Sequence, residues 1–191
     1  MIDKYEKVAE ANSFVFNAPL IVLITFVILQ LYWGSAFSFL IISLLFGSIL
    51  PFSFLAYMLK KGSVSDIFAS TRKTRIIPLV VTLMNILMGI IFLEILNAPE
   101  IFITFMICLF INTFLIMIIT EEWKISIHTA SITFPATFLV YKLGAGMIPF
   151  FLLILPIAWA RIKLRAHNLN QVVAGSLLTI CLTMVQLQLI K

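Results

Sequence analysis

Charged residues are scarce in this sequence. Asp, Glu, Lys and Arg make up 11% of its 191 residues, whereas soluble domains carry about 25%. Hydrophobic residues make up 62%, and the mean hydropathy is +1.16. Apolar runs of about 18 or more residues recur along the chain and are typical of membrane-spanning helices. The composition therefore excludes an ordinary soluble domain and predicts an integral membrane protein.

Cysteine and acidic residues are also few, and this excludes several kinds of site. The two cysteines, Cys108 and Cys181, lie inside apolar runs and share no motif, so we expect neither a disulfide nor a thiolate metal site. The acidic residues Asp66, Glu121 and Glu122 are too scattered for a magnesium-binding motif. We expect no metal and no cofactor.

The net charge of +5 does not indicate nucleic-acid binding, because no basic patch with interleaved aromatic residues occurs in a polar context. Residues 1–13 mix acidic and basic side chains and do not form the pattern of a cleavable signal peptide. The bilayer is the partner that the composition predicts, and the sequence leaves the oligomeric state open.

Seven apolar runs predict an all-α polytopic bundle of six to seven transmembrane helices, forming one domain over residues 1–191. Pro51 is expected to kink the second run. The sixth run is the weakest, because at ~1.5 Å per residue it reaches only ~21 Å, against ~30 Å of hydrocarbon. The predicted spans are residues 14–32, 36–59, 76–96, 101–119, 125–143, 147–160 and 172–190.

Basic residues concentrate on one predicted face of the membrane. With seven spans, the N-terminus and every second loop share a face that carries eleven of the thirteen Lys and Arg, with only Lys142 and Lys191 opposite. Both histidines, His128 and His167, lie on the basic face. The positive-inside rule predicts that this face is cytoplasmic, in a multi-pass protein of a prokaryotic plasma membrane.

The stretch RIKLRAHNLNQVVAG, residues 161–175, is the basic run that has long apolar sequence on both sides. Arg161 is followed after five residues by His167 and, four residues further on, by Gln171. Lys163 and Arg165 alternate with Arg161, so we expect Arg161 to point inward and the other two to be membrane-surface charges.

Two further loops on the same face supply polar groups of the same kinds. Arginine forks match phosphate oxygens bidentately. Two histidines beside such groups are suited to phosphate-ester cleavage, one as nucleophile and one as acid and base. The groups in question are Arg72, Lys73 and Arg75 before the third span, and Lys124, Ser126 and His128 at the start of the fifth.

Taken in their order along the chain, the three segments resemble the phosphatidic-acid phosphatase type 2 superfamily of membrane phosphatases. That family has a basic run ending in Arg-Pro, a Pro-Ser-Gly-His segment and a Ser-Arg…His…Asp segment. The third is matched best, through Ala160-Arg161, His167 and Gln171, and the following VVAGSLL is similar to the family's helix. The second is similar to Ser126-Ile127-His128 and the first to Arg72…Arg75-Ile-Ile-Pro78, so that the resemblance covers about 100 residues, from the first segment to the end of the third.

The sequence departs from the family pattern at several places. Gln171 stands where the family has Asp, and Ile125 and Ile127 replace Pro and Gly. Two predicted spans separate the first segment from the second, where the family has a loop. Glutamine can accept a hydrogen bond from an imidazole through its amide oxygen, but it brings no charge.

The resemblance implies an integral membrane phosphatase that hydrolyses phosphatidic acid, phosphatidylglycerol phosphate or a polyprenyl diphosphate without a metal. It implies that His167 forms a phosphohistidine, that Gln171 orients His167, and that His128 acts first as acid and then as base. The phosphate oxygens would be held by Arg72, Arg75, Ser126, Arg161 and Lys124.

Other interpretations stay open. The resemblance implies a site that faces away from the cytoplasm, whereas the positive-inside rule predicts a cytoplasmic one. His128 also fits a residue that caps the fifth span, and Lys124 with Trp123 fits an interfacial anchor. Asn168 and Asn170 are candidate caps for the last helix. A non-catalytic relative, a transporter or a lipid-binding protein would use the same basic pocket to hold a phosphate head group without turnover.

Overall fold

The computed structural model describes residues 3–64, 66 and 74–190, and over these residues the chain is helical and contains no strand. The predicted all-α class is confirmed. A π-helical segment (Leu45–Ile49) separates α3 from α4, and a 3₁₀ segment (Ala145–Leu153) precedes α8. The α-helices are α1 (Lys4–Val15), α2 (Ala18–Trp33), α3 (Phe37–Leu44), α4 (Leu50–Lys60), α5 (Ile76–Ile95), α6 (Glu100–Glu122), α7 (Ile127–Leu143), α8 (Ile154–Lys163) and α9 (Leu169–Leu189).

Several of these helices have the length and composition of membrane spans. Among the described residues, five helical stretches qualify, and the broken pair α1 and α2 adds a sixth if it counts as one span. With 17 residues, α7 lies at the lower end of the ~17–25 residues that a span requires. The predicted multi-pass character is supported. The five stretches are Phe37–Lys60, Ile76–Ile95, Glu100–Glu122, Ala145–Lys163 and Leu169–Leu189.

The first predicted span begins in the wrong place. Residues 4–15 form a separate helix, α1, and the apolar helix α2 begins only at Ala18. The Asn17 side chain accepts a hydrogen bond from the backbone N–H of Leu20 at 2.9 Å, which caps the start of α2. Pro19 fits the first turn of a helix because a backbone N–H there has no intrahelical partner. The cap and the proline together explain why the helix restarts.

The second predicted span contains an irregular segment rather than a simple proline kink. Leu45–Ile49 is π-helical, and Pro51 follows in the first turn of α4. Proline has no N–H, so Pro51 cannot donate to the carbonyl four residues earlier. The wider helical turn lies where that bond is missing.

The sixth predicted span is longer than its sequence suggested. It runs from Ala145 to Lys163, with nine residues in the 3₁₀ segment and ten in α8. At ~2.0 Å per residue for the first part and ~1.5 Å for the second, it reaches about 33 Å. The predicted shortness was wrong, mainly because the stretch has 19 residues rather than the 14 of the predicted span, and also because a 3₁₀ segment rises further per residue. The polar loop predicted at residues 120–124 is also shorter, since α6 continues to Glu122.

The helices divide into two compact units, Met1–Ile21 with Lys124–Lys191 and Val22–Trp123. In the first unit, α1 packs on α8 and α7 packs on α9. In the second, α5 packs on α6 and on the helices before it, and the rings of Phe26, Phe102 and Phe105 form an aromatic core. The single domain over residues 1–191 stays a prediction.

Candidate functional site

The first unit brings the starts of α7 and α9 into direct contact. The backbone N–H of Ser126 donates to the carbonyl of Gln171 at 3.2 Å. The Thr129 hydroxyl donates to the carbonyl of Val172 at 3.1 Å. The second and third sequence segments of the predicted site therefore lie side by side, although more than 40 residues separate Thr129 from Val172 in the chain.

Gly175 allows this close approach. A Cβ atom on Gly175 would lie 2.6 Å from the Ser126 carbonyl oxygen and 2.9 Å from the Thr129 hydroxyl oxygen. Both distances are shorter than a real Cβ contact allows. A side chain of any size at this position would push the two helix starts apart.

Both contacting helices begin with a side-chain cap. Ser126 caps α7, where its hydroxyl accepts from the Thr129 N–H at 3.5 Å. Asn168 caps α9, where its side chain accepts from the Gln171 N–H at 3.0 Å. Of the two predicted cap candidates, Asn168 is the residue that caps α9. Because the positive ends of two helix dipoles meet here, the junction favours an anion.

His167 lies in the turn that leads into α9 and is 5% exposed. Its Nδ1 atom is 3.1 Å from Oε1 of Gln171. The turn is fixed from the other side, because the carbonyl of Arg161 accepts from the backbone N–H groups of both Ala166 and His167 at 3.1 Å. Arg165, at φ +51°, turns the chain between the end of α8 and this histidine.

The helix cap decides which ring nitrogen of His167 carries the proton. Oε1 of Gln171 also accepts from the backbone N–H of Asn168 at 3.2 Å, as part of a capping box. A backbone N–H can only donate, so the amide must present its oxygen at this point. The Nδ1 atom of a neutral His167 must then be the donor to the same oxygen, which leaves the lone pair on Nε2. A ring in this tautomer presents Nε2 as a nucleophile or a base.

His128 lies in the first turn of α7 and is 7% exposed. Its carbonyl accepts from the hydroxyl of Ser131 at 2.8 Å. The Ser126–Gln171 backbone bond joins the segment that carries His128 to the segment that carries His167. The two histidines therefore belong to adjoining helix starts in one unit.

Arg161 points inward, whereas its basic neighbours do not. Its side chain is 1% exposed, and Nη1 donates to the hydroxyl of Ser13 at 3.3 Å. Lys163 instead pairs with Asp3 at 3.0 Å, with a side chain that is 35% exposed. Arg165 is exposed. This agrees with the predicted choice of Arg161 as the inward-facing residue of the three.

Ser13 is a partner of Arg161 that sequence reasoning missed. It is fully buried in the last turn of α1, inside a segment that was interpreted only as a polar N-terminus. The available signal was the small-residue pair Ala9 and Ser13, which lie four apart and so share one helix face. Both are fully buried.

Lys124 is half-buried in the segment before α7. Arg75 belongs to the second unit, at the start of α5, and is 2% exposed. Arg72 and Lys73 lie outside the described residues. Whether the first sequence segment joins the histidines therefore stays a prediction.

Over residues 3–64, 66 and 74–190, no group of three or more His, Cys, Asp and Glu side chains is arranged to hold a metal ion.

No model of a known protein family matches the chain, and comparisons with curated proteins and with solved structures found no match.

Proposed function

We propose that this protein is an integral membrane phosphatase that hydrolyses a lipid phosphate or diphosphate. The observation that carries the proposal is the contact between His167 Nδ1 and Gln171 Oε1, in a turn whose backbone is anchored on the buried Arg161. A neutral histidine held in this way carries its lone pair on Nε2, and its segment adjoins the helix start that carries a second histidine.

In the proposed reaction, Nε2 of His167 attacks phosphorus in line with the ester oxygen. The nitrogen–phosphorus bond forms as the phosphorus–oxygen bond to the leaving alcohol breaks. A protonated His128 donates its proton to the departing oxygen. The neutral His128 then takes a proton from water, which attacks the phosphohistidine and releases orthophosphate.

The charge of the transferring phosphoryl group needs fixed positive partners. Arg161 supplies a guanidinium within the same unit. Arg72, Arg75 and Lys124 are proposed to act with it, and the Ser126 hydroxyl can donate a hydrogen bond while its oxygen caps α7. The two adjoining helix N-termini add partial positive charge without any titrating group.

The lipid tail is proposed to enter sideways from the bilayer, since the helices that carry the site qualify as spans or nearly do so. The substrates that fit are phosphatidic acid, phosphatidylglycerol phosphate and polyprenyl diphosphates. We further propose that the protein lies in the plasma membrane of a prokaryote with the site facing the cytoplasm, because basic residues outnumber acidic ones and concentrate on that face.

The proposal is tested with detergent-purified protein and those three lipids, by measuring released orthophosphate. We expect release from at least one lipid, and an acid-labile, base-stable phosphoprotein that His167→Ala does not form. Head-group binding without release would instead support a non-catalytic relative or a transporter. Release that persists undiminished in His167→Ala would refute the phosphohistidine mechanism.

A further inference from the structure

The N-terminal helix α1 makes a side-chain contact with the proposed phosphate site. Ser13, in the last turn of α1, is fully buried and accepts a hydrogen bond from Nη1 of Arg161 at 3.3 Å. The two residues are 148 positions apart in the sequence. The segment that contains Ser13 is absent from the motifs that suggested the function.

The chemistry of this contact suits a positioning role. A buried guanidinium must be hydrogen-bonded, because burying an unsatisfied charge is costly. A serine hydroxyl accepts one N–H of the guanidinium and, being neutral, leaves the positive charge in place. A carboxylate at position 13 would also orient Arg161, but it would cancel much of the attraction for an anion.

The backbone of Arg161 is tied to the proposed nucleophile. Its carbonyl oxygen accepts from the N–H groups of Ala166 and His167. Arg161 thus contacts Ser13 through its side chain and holds the turn that carries the His167 imidazole through its main chain. A change in the packing of the Arg161 side chain would therefore also disturb the turn that carries the proposed nucleophile.

The rest of α1 is fastened to α8, which holds Ser13 in place. Asp3 pairs with Lys163 at 3.0 Å, and the ammonium of Lys163 lies 5.7 Å from the ring centre of Tyr5. Between these contacts and Ser13, the buried Ala9 belongs to a hydrophobic cluster with Ile157 and Ala160. A helix fixed along its length can present one hydroxyl with the accuracy that a functional site requires.

From these contacts we propose that α1 is part of the phosphate site and that Ser13 is a positioning residue, which aims the Arg161 guanidinium at the substrate phosphate. The inference rests on the proposed phosphatase function and adds to it a residue and a helix. It predicts that Ser13 affects phosphate recognition through Arg161, and not merely the stability of the fold.

The test uses the full-length protein with Ser13→Ala and with Ser13→Cys, which keeps the size of the side chain but is a weaker acceptor. The readouts are KM for the lipid substrate and the inhibition constant of orthophosphate. We expect both to rise about tenfold in each variant, because a hydrogen bond to a charged group is lost. Ser43→Ala is the matched control, since Ser43 is also fully buried, lies in the other unit, and has no hydrogen-bond partner for its hydroxyl among the described residues.

A double-variant comparison separates a positioning role from a structural one. If Ser13 acts through Arg161, adding Ser13→Ala to Arg161→Lys should change the inhibition constant less than twofold, because the two effects share one interaction. Independent, multiplicative effects would overturn the inference, as would wild-type constants in both Ser13 variants of an active enzyme. A wild-type protein that neither releases nor binds orthophosphate would instead overturn the proposed function, and the inference with it.

Discussion

The amide oxygen of Gln171 accepts a hydrogen bond from Nδ1 of His167 at 3.1 Å, and the same oxygen caps the first turn of α9. One atom therefore both begins a transmembrane helix and orients an imidazole. Any substitution at this position changes folding and the site together, unless the replacement keeps the oxygen where it is.

Substitutions at Gln171 should separate the two roles of this oxygen. Gln171→Glu keeps the length of the side chain and both hydrogen bonds, and it adds a negative charge beside His167. A nearby carboxylate stabilises the imidazolium form, so we expect turnover to be kept or raised and the pH optimum of phosphate release to move upward. Gln171→Asp, the residue of the resembling family, should act in the same direction.

Gln171→Ala is the comparison for these variants. It removes the capping box and the orienting bond, so both the rate and the stability of α9 should fall, the latter by about 1 kcal/mol. Unchanged phosphate release in Gln171→Ala, with loss of release in Gln171→Asp, would mean that the residue has only a structural role.

The two histidines should be required for turnover in different degrees. His167→Ala removes the proposed nucleophile and should abolish phosphate release. His128→Ala removes acid–base catalysis and should lower kcat by about 10²- to 10⁴-fold. Asn170→Ala, an exposed neighbour in α9, is the control and should behave like the wild type.

Phosphate release should not depend on a divalent metal, since the proposed chemistry uses imidazole, guanidinium and helix termini alone. We expect EDTA and a metal-free buffer to leave the rate unchanged. Loss of activity on chelation, with recovery when a divalent cation is returned, would contradict the mechanism.

Gly175→Ala should destabilise the first unit. The new methyl group would lie 2.6 Å from the Ser126 carbonyl oxygen, so α7 and α9 must separate. Overpacking of this kind costs about 1–3 kcal/mol, measurable as a lower midpoint of unfolding in mixed micelles, and phosphate release should fall as well. Gly146→Ala is the matched control, because a Cβ there has nothing within 4 Å; equal midpoints in the two variants would disprove the close-packing argument.

Acid should loosen the N-terminal end of α1. The hydrogen bond from Lys163 and that from the Tyr5 N–H hold the pKa of Asp3 below its ordinary value of 3.8. A lowered pKa in the folded state means that the stabilising contribution is present above pH 3.8 and is lost as the pH falls through the folded value. Hydrogen exchange of the α1 amides should therefore be faster in Asp3→Asn than in the wild type at neutral pH, and the difference should vanish in acid. A difference that persists at the lowest pH would assign the effect to something other than the charge of Asp3.

Orientation in the membrane can be tested with reporters placed after Lys191. Even without the site candidates Arg72, Lys73, Arg75, Lys124 and Arg161, six basic residues remain on the site face against two on the other. We therefore expect the C-terminus outside the cytoplasm, so that an alkaline phosphatase fusion is active and a green fluorescent protein fusion is dark. The opposite pair of results would place the site on the outer side.

The membrane class and most helices could be predicted because lipid requires long apolar runs, which the sequence displays directly. The inward position of Arg161 was expected from its alternation with Lys163 and Arg165, and the contact of His167 with Gln171 was expected from the resemblance of the third segment to the family pattern. These are local relationships.

The spacing of Ala9 and Ser13 could have indicated a buried helix face, but the contact of Ser13 with Arg161 could not be predicted, because the two residues are 148 positions apart. The π-helical segment and the 3₁₀ start of the sixth span were also missed, since periodicity assumes the same rise and the same rotation angle for every residue. The contact between α7 and α9 depends on Gly175, whose importance is visible only when the two helices are seen side by side.

The π-helical segment Leu45–Ile49 gives the second span an unusual tolerance in length. A π turn accommodates one additional residue without rotating the helices on either side of it, so α3 and α4 keep their faces toward α5. Losing one residue within this segment would leave both faces unchanged, although Pro51 would still lack the N–H of a regular α-helix. The same deletion in the middle of α5 or α6 would rotate everything beyond it by about 100°. We therefore expect a one-residue deletion to be tolerated better at residues 45–49 than elsewhere in the membrane spans, because the faces of α3 and α4 would not rotate.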